Sequence, residues 1–284
     1  MAGESQSSVI PEVCPPPCVD ALTDTALWTL YNRASEARRL DGILDDPECV
    51  RIVDSLGLDL SARFGCPRPT HAVRACAFDG EVRAFCATHR DPVIVNLGEG
   101  LETQRFRLAD TPAVWVSVDL PDAMNAREQF IVPDHKHLHV RRSVLDHGWM
   151  DEVPPGSVHI LAQGLFMFLT AMQVKSLVRA IGRRFPNAWL TFDTIPPWLS
   201  DLTCSPEGWR LSPQVVLPPM PFGIRSLAVP RVFAHWIRHS KTCRVPSRRI
   251  PRVLPQRPWD RTTPTLPTGM EPPSFWTMRM PGPR

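Results

Sequence analysis

The sequence predicts an α/β protein with a doubly wound sheet, a helical cap near the N-terminus and an irregular C-terminal region. Four short apolar runs carry this prediction, at residues 93–97, 114–118, 158–162 and 188–192. Such runs are typical of parallel strands, which are covered on both faces of the sheet. A helical pattern lies between the third and fourth runs, and strands that alternate with helices favour parallel pairing.

The composition allows one large domain with a sizeable core. The chain has 284 residues, of which 43% are hydrophobic and 21% charged, and this excludes global disorder. Residues 225–284 contain twelve basic side chains and only two acidic ones. This region lacks the interleaved aromatics and the motif spacing of known nucleic-acid modules, so no nucleic-acid partner is expected.

The first seventy residues are predicted to form a disordered start followed by a helical cap. Disorder is expected at residues 1–20, and the helical cap is assigned to residues 21–70. Apolar spacing predicts one helix over 21–43 and a second, short helix after Pro47. Two aromatic residues of the first helix, Trp28 and Tyr31, are interpreted as packing residues of the cap.

Residues 71–224 are predicted to form the core domain. It begins with a helix over 71–88, and a later helix is expected to be capped by Thr170 and ended by Pro186. After the last of the four apolar runs the segment becomes irregular, as a lid over a site would be. Trp198 and Trp209 lie in this segment, where they could line an aromatic pocket or pack in the core.

The proline- and arginine-rich residues 225–284 are predicted to contain two late strands. One is Thr242–Val245, and the other is Phe275–Met280, whose side chains alternate and include large apolar groups. Residues 253–273 are expected to be a mobile loop. The competing view is that the whole tail is disordered, which its prolines and net positive charge favour.

A glycine pair at the end of the first strand is the strongest indication of a binding site. Gly98 and Gly100 follow that strand, and Asp119 ends the next strand about twenty residues later. Glycines let backbone amides approach a ligand, and an acid at this position can hold both hydroxyls of a ribose. Two ligands fit, a dinucleotide and S-adenosylmethionine. The dinucleotide fingerprint requires a third glycine where Thr103 stands, which disfavours that ligand.

Several blocks of sequence occur in an order that resembles a known family. They are residues 95–108, 118–121, 145–153, 163–169, 192–195 and 218–223. Together they resemble the leucine carboxyl methyltransferase-like family, and within it the tetracenomycin-type polyketide O-methyltransferases. The resemblance covers about residues 25–224. It implies a class I methyltransferase, with a Rossmann-like sheet that ends in an antiparallel strand and with S-adenosyl-L-methionine as cofactor.

The resemblance also implies roles for residues around the glycine pair. Arg74, in the helix before the first strand, would pair with the methionine carboxylate of the cofactor. Gly98 and Gly100 would let the backbone pass the methionine moiety. Asp119 would hold the ribose.

Three further residues would complete the cofactor site by the same resemblance. Leu145 and Asp146 would border the adenine, with Asp146 reaching its amino group, and Gln163 would lie beside the sulfonium. The family commonly has a glutamate in place of Gln163. It also commonly reads Gly-Leu-Asp-Thr-Arg where this chain has Gly-Leu-Glu-Thr-Gln at 100–104. The neutral glutamine would weaken the attraction to the sulfonium.

These observations predict an O-methyltransferase that acts on a carboxylate or hydroxyl of a small molecule, such as a polyketide or another secondary metabolite. A hydroxyl acceptor would need a base, and the candidate is Asp193, directly after the last of the four apolar runs. Anchoring the following turn is the alternative role of that carboxylate. Two alternative functions are a catalytically weak relative that binds S-adenosylmethionine and, disfavoured by Thr103, a nucleotide-dependent oxidoreductase.

Three histidines alternate before Val140, namely His135, His137 and His139, which predicts one face of a strand. Three imidazoles on one face could bind zinc. No carboxylate or cysteine is well placed to complete such a site, so a solvated strand edge is favoured and no metal is expected.

The expected location is cytoplasmic. The eight cysteines include no Cys-x-x-Cys pair, and no signal peptide precedes Cys14 and Cys18, so reduced thiols are expected. The most apolar stretch, residues 158–174, is too short to span a membrane comfortably and contains polar side chains. No membrane and no nucleic acid is expected as a partner. The expected partner is a small-molecule acceptor, and the protein is expected to be a monomer or a homodimer.

Overall fold

A computed structural model describes residues 22–245 and 271–283 of the chain. In these residues seven strands form one sheet in the order β3-β2-β1-β4-β5-β7-β6. The first five strands run parallel, and β7 is antiparallel to both of its neighbours. The strands are β1 (Pro92–Leu97), β2 (Val114–Asp119), β3 (His137–Arg141), β4 (Ser157–Ala162), β5 (Trp189–Thr194), β6 (Lys241–Arg244) and β7 (Ser274–Arg279).

The helices cover the N-terminal cap and both faces of the sheet. They are α1 (Asp24–Ala37), α2 (Pro47–Leu56), α3 (Leu60–Phe64), α4 (Thr70–Cys86), α5 (Gln104–Arg107), α6 (Pro121–Glu128), α7 (Ala171–Arg184), α8 (Pro197–Cys204) and α9 (Val229–Trp236). The predicted doubly wound sheet is confirmed, because the chain passes from β1 outward to β3 and then returns to β4 on the other side of β1. The antiparallel β7 beside β5 also agrees with the sheet that the resemblance implies.

Alternating side chains of the central strands build one core on each face of the sheet. On one face Ile94 packs with Phe78 and Phe85 of α4, and on the other Val93 and Val95 pack with the apolar side of α7. Parallel strands that are buried on both faces have apolar residues at nearly every position, and for this reason the four runs could be recognised in the sequence. A separate core joins α1, α2 and α3.

The first helix is shorter than the sequence predicts. The predicted range of 21–43 is wrong at its end, because α1 stops at Ala37. A tight turn follows, in which Arg39 N–H donates to the Glu36 carbonyl oxygen (3.1 Å) and Gly42 N–H to the Arg39 carbonyl oxygen (3.1 Å). A Cβ at Gly42 would lie 2.3 Å from the Glu36 oxygen, so the glycine permits the turn.

The C-terminal strand confirms the prediction made for Phe275–Met280. In β7, Trp276 lies opposite Phe192 and Met278 lies opposite Leu190, and both β7 side chains belong to the main core. The other predicted late strand is β6, which pairs with β7 at the edge of the sheet. Residues 1–20 and most of the predicted loop at 253–273 lie outside the described residues.

The histidines of β3 are not solvated, so that interpretation is wrong. The His137 side chain is fully buried and its Nε2 lies 2.8 Å from Ser117 Oγ on the neighbouring strand. The ring of His139 lies 2.9 Å from Glu128 Oε1, whereas His135 precedes the strand. Between residues 22 and 245 and in 271–283, no three side chains of the metal-binding kind lie close enough to hold a metal ion.

Candidate active site

A cavity of about 710 Å³ lies at the carboxyl ends of β1, β2 and β4. This is the place where the strand order reverses, and ligands of open α/β sheets bind at such a switch point. Helix α1 and the segment that follows α8 cover the cavity. Of the predicted site residues, Arg74, Gly98, Gly100, Asp119 and Gln163 line it.

The glycine turn after β1 has backbone conformations that favour glycine. Gly98 has φ 62° and Gly100 has φ 54°, both in the left-handed region. A Cβ at Gly98 would lie 2.9 Å from Leu165 Cδ1, whereas a Cβ at Gly100 would meet no atom within 4 Å. The backbone at Gly100 is therefore open to the cavity.

The Asp119 carboxylate is fixed against this turn. Its Oδ2 accepts a hydrogen bond from Gly100 N–H (2.8 Å), and its Oδ1 accepts one from Leu120 N–H (2.8 Å). Burial raises the pKa of Asp119, and the two backbone bonds oppose that rise. Each oxygen keeps a further lone pair, so the carboxylate can also accept hydrogen bonds from a ligand in the cavity.

Arg127 of α6 holds the opposite side of the same turn. Its Nη1 donates to the carbonyl oxygens of Gly100 (2.7 Å) and Glu102 (2.8 Å). Its Nη2 lies 3.1 Å from Glu99 Oε1, and both side chains of this pair are buried. Sequence reasoning missed Arg127, although it stands on the helix that directly follows Asp119.

A layer of buried ion pairs lies beneath the cavity, and the sequence did not reveal it. Glu102 Oε2 accepts from Arg33 Nη1 (2.6 Å), and Glu102 Oε1 accepts from Arg107 Nη1 (2.7 Å). Arg107 also pairs with Asp46 (2.7 Å) and Asp79 (2.8 Å). Although burial alone would raise the pKa of Glu102, the two guanidinium groups hold it well below its usual range.

Gln163 is oriented by this layer. Its Nε2 donates to Glu102 Oε2 over 2.7 Å. The carbonyl oxygen of the amide is then the end available to a ligand. Gln163 lies directly after β4, at the wall of the cavity.

Arg74 and Asp193 form a pair next to the turn after β4. Asp193 Oδ1 accepts from Gly164 N–H (2.6 Å), and its Oδ2 lies 3.3 Å from Arg74 Nη1. Gly164 has φ 67°, and a Cβ there would lie 2.7 Å from Arg74 Nη1. Asp193 is buried and does not line the cavity, so its carboxylate anchors the turn after β4, not the turn that follows β5.

Leu145 and Asp146 do not line the cavity. Leu145 packs against the main core, and Asp146 is exposed. Asp146 Oδ1 accepts from Gly148 N–H (3.1 Å), and Oδ2 accepts from Arg142 Nη1 (3.0 Å). Both residues follow β3, which pairs with β2 up to Asp119, so their contact with an adenine stays a prediction.

The other half of the cavity is largely apolar. Its wall includes the apolar side chains of Leu22, Trp28, Met167, Phe168, Leu217 and Met220, together with the polar Thr23, Thr25, Thr29 and His71. Trp28, interpreted from the sequence as a packing residue, meets His71 edge to face, with ring centroids 4.6 Å apart. Trp209 meets Trp28 edge to face, with ring centroids 6.1 Å apart, and Trp198 donates from Nε1 to the Glu271 carbonyl oxygen (2.9 Å). Neither Trp198 nor Trp209 lines the cavity.

Two curated proteins are similar to this chain in sequence. The tetracenomycin polyketide synthesis O-methyltransferase TcmP of Streptomyces glaucescens is 28% identical over 180 residues, which are 62% of this chain and 66% of TcmP. The protein Franean1_4929 of Parafrankia sp. (strain EAN1pec), named provisionally as an S-adenosyl-L-methionine-dependent methyltransferase, is 29% identical over 181 residues, or 56% of this chain and 58% of that protein. The chain thus matches less than two thirds of the length of either relative. The match to TcmP confirms the resemblance that the sequence blocks indicated.

Solved structures are similar at a lower level. A provisionally described methyltransferase from Thermobifida fusca YX is 14% identical, with a TM-score of 0.48, and the match covers 95% of this chain and 100% of that one. No family model matches the chain.

None of the helices in residues 22–245 and 271–283 has the length and apolar character that crossing a membrane requires.

Proposed function

We propose that this chain is an S-adenosyl-L-methionine-dependent methyltransferase that transfers a methyl group to an oxygen of a small molecule. The observation that carries the proposal is the Gly98–Gly100 turn, which closes on Asp119 at the switch point of the sheet. The similarity to TcmP supports the oxygen as the acceptor atom and a polyketide or a related secondary metabolite as the substrate, because TcmP is named as an O-methyltransferase of polyketide synthesis.

The residues of the cavity fit the cofactor. Asp119 would accept the two ribose hydroxyls with the lone pairs that the backbone leaves free. The open backbone at Gly100 would lie along the methionine moiety. Arg74 would bind the methionine carboxylate, since the residue lines the cavity and its contact with Asp193 is a long one of 3.3 Å.

The same geometry disfavours a dinucleotide. Helix α5, after the glycine turn, has four residues, and the Thr103 before it is fully buried with its Oγ1 donating to Asp46 Oδ2 (2.6 Å). In the dinucleotide fold a three-glycine turn leads into a helix, and the free amides at the N-terminus of that helix bind the pyrophosphate. Here Thr103 N–H instead donates to the Glu102 carboxylate (2.9 Å), so an anion would meet a negative side chain at this position.

In methyl transfer the main task of the protein is to place the acceptor atom beside the methyl group. When bound, S-adenosylmethionine supplies an electrophilic methyl group on a sulfonium. Gln163 would offer its carbonyl oxygen near that charge. The apolar wall around Trp28 and Met220 would exclude water and align the acceptor. A carboxylate acceptor needs no base. Asp193 anchors Gly164 and does not line the cavity, so it is not placed to take a proton from a hydroxyl acceptor.

Activity can be tested without knowing the acceptor. Metabolite extracts from polyketide-producing bacteria are incubated with the protein and methyl-labelled S-adenosylmethionine, and labelled products are identified by mass spectrometry. We expect a product that carries the label on an oxygen and that forms in much smaller amount with an Asp119→Ala variant. Tight cofactor binding without any labelled product would favour the catalytically weak relative. A label on nitrogen or carbon would contradict O-methylation.

A further inference from the structure

A chain of three hydrogen-bonding groups sets the protonation of His71. Arg68 N–H donates to Asn32 Oδ1 over 2.7 Å, which fixes the orientation of the Asn32 amide. The other end of that amide, Nδ2, lies 2.8 Å from His71 Nδ1. An amide NH₂ only donates, so Nδ1 must accept, and the ring proton of a neutral His71 must then be on Nε2.

The surroundings of His71 keep the ring neutral. The residue is 9% exposed, and its neighbours include the cations Arg33, Arg68 and Arg74 and the anion Glu102. Burial, followed by Arg74 and Arg33, holds the pKa of His71 well below its usual value, and Glu102 opposes this only in part. The edge-to-face contact with Trp28 helps to hold the ring plane.

The Nε2–H of His71 is available to a ligand. Among the described residues Nε2 has no hydrogen-bond partner, and it is not one of the polar atoms that are fully enclosed by protein. His71 and Trp28 are in contact and line the cavity in the wall that also includes Met220. An N–H in such a wall is costly to desolvate unless the ligand supplies an acceptor atom.

We propose that His71 is a specificity-determining residue whose Nε2–H donates a hydrogen bond to an oxygen of the methyl acceptor. The Asn32 amide keeps His71 a donor, so His71 does not serve as the base that removes a proton from the acceptor. The acceptor is then a molecule with a carboxylate, carbonyl or already ionised oxygen beside an apolar ring system. This proposal rests on the proposed function, because it assigns the second half of the cavity to the acceptor.

The tautomer can be observed directly by NMR of the full chain labelled with ¹⁵N-histidine. The His71 signals are identified by their loss in His71→Gln. We expect a neutral ring with the proton on Nε2 at pH 7. In Asn32→Asp the new carboxylate still accepts from Arg68 N–H and can accept from Nδ1–H, so we expect Nδ1 to become protonated. The exposed Asn125→Asp is the matched control and should leave the His71 signals unchanged.

A wild-type ring that already carries a proton on Nδ1 would overturn the proposal. The wild-type spectrum gives this answer even if Asn32→Asp fails to fold.

The donor role can be tested by binding of 2-naphthoate, an aromatic carboxylate that offers only hydrogen-bond acceptors. Calorimetry first measures S-adenosylhomocysteine binding, and 2-naphthoate is then added to the saturated complex. His71→Met removes the donor at similar volume, and we expect the affinity for 2-naphthoate to fall about tenfold or more. His71→Gln keeps an amide N–H near the position of Nε2, and it should retain most of the affinity.

The outcomes separate this proposal from the proposed function. If S-adenosylhomocysteine does not bind, the proposed function fails. A second outcome is that S-adenosylhomocysteine binds wild type and both variants equally, but 2-naphthoate does not bind or binds the Met and Gln variants equally. In that case only the role of His71 is wrong.

Discussion

The backbone N–H of Gly100 donates to Asp119 Oδ2 over 2.8 Å and so joins the turn after β1 to the end of β2. This bond places a carboxylate at the edge of the cavity with lone pairs still available. It also means that Asp119 has both a structural and a binding role, which experiments must separate.

Replacing Asp119 should weaken cofactor binding more than it weakens the fold. We expect Asp119→Ala to reduce the affinity for S-adenosylhomocysteine by about 1.5–3 kcal/mol, because hydrogen bonds to a charged group are lost. Calorimetry measures the affinity and thermal unfolding the stability. Asp201→Ala, at an exposed position, is the control and should change neither quantity. An Asp119→Ala variant with wild-type affinity would remove Asp119 from the site.

Gly164 offers a test of Arg74 that leaves the arginine in place. A Cβ at Gly164 would lie 2.7 Å from Arg74 Nη1, so Gly164→Ala should displace the guanidinium and weaken cofactor binding. The same change costs about 1–2 kcal/mol of stability because the residue has φ 67°. Gly57→Ala is the matched control, since Gly57 has φ 62° and no atom within 4 Å of a new Cβ.

The control should lose stability but keep its affinity for S-adenosylhomocysteine, whereas Gly164→Ala should lose both. Arg74→Lys should also bind the cofactor more weakly, because the planar fork is lost. Equal affinities in all of these proteins would show that Arg74 does not bind the ligand.

Glu102 should contribute strongly to stability. Glu102→Gln leaves the buried guanidinium groups of Arg33 and Arg107 short of one negative charge, and we expect a loss of about 3–5 kcal/mol in the free energy of unfolding. The exposed Glu207→Gln should have little effect. Urea unfolding measures both. A loss below about 1 kcal/mol in Glu102→Gln would contradict this account of the layer.

The contribution of Glu102 should also depend on pH. Its pKa is lower in the folded protein than the usual glutamate value of about 4.3, so the unfolded chain binds the proton first. The stabilisation is therefore fully present above about pH 4.3 and is lost as the pH falls towards the folded pKa. Urea unfolding between pH 3 and pH 6 should show a steeper acid loss of stability in wild type than in Glu102→Gln. Parallel curves would contradict the assignment.

The last strand should be essential to the fold. Met278 is fully buried in β7, and we expect Met278→Ala to cost about 2–5 kcal/mol. Leu227, at 91% exposure, provides the control, because Leu227→Ala removes almost no buried surface. Removal of residues 274–284 should lower the melting temperature sharply or abolish solubility. A truncated protein with unchanged melting temperature would show that β7 does not contribute.

The sequence predicted the parts of the fold that depend on local patterns. Strands buried on both faces are continuous apolar runs. This pattern predicted four strands, β1, β2, β4 and β5. The glycine turn and Asp119 were also predictable, because the carboxyl ends of adjacent parallel strands meet at one edge of a sheet.

The sequence could not show which buried polar groups become partners. Glu102 and Arg33 are 69 positions apart in the sequence, and His71 and Asn32 are 39 positions apart. No local sequence pattern links residues so far apart. The burial of His137 was missed for the same reason, since Ser117, its partner, lies on another strand. The apolar pattern also continued beyond Ala37, but the helix ends there and a turn that includes Gly42 follows.

Binding of S-adenosylmethionine by the Gly98–Gly100 turn and Asp119 can be measured by calorimetry. The full chain is titrated separately with S-adenosylmethionine, S-adenosylhomocysteine and NAD under the same conditions. We expect heat of binding with the first two ligands and none with NAD, and a lower affinity for S-adenosylhomocysteine in Asp119→Ala. Binding of NAD without any heat from S-adenosylmethionine or S-adenosylhomocysteine would contradict this expectation.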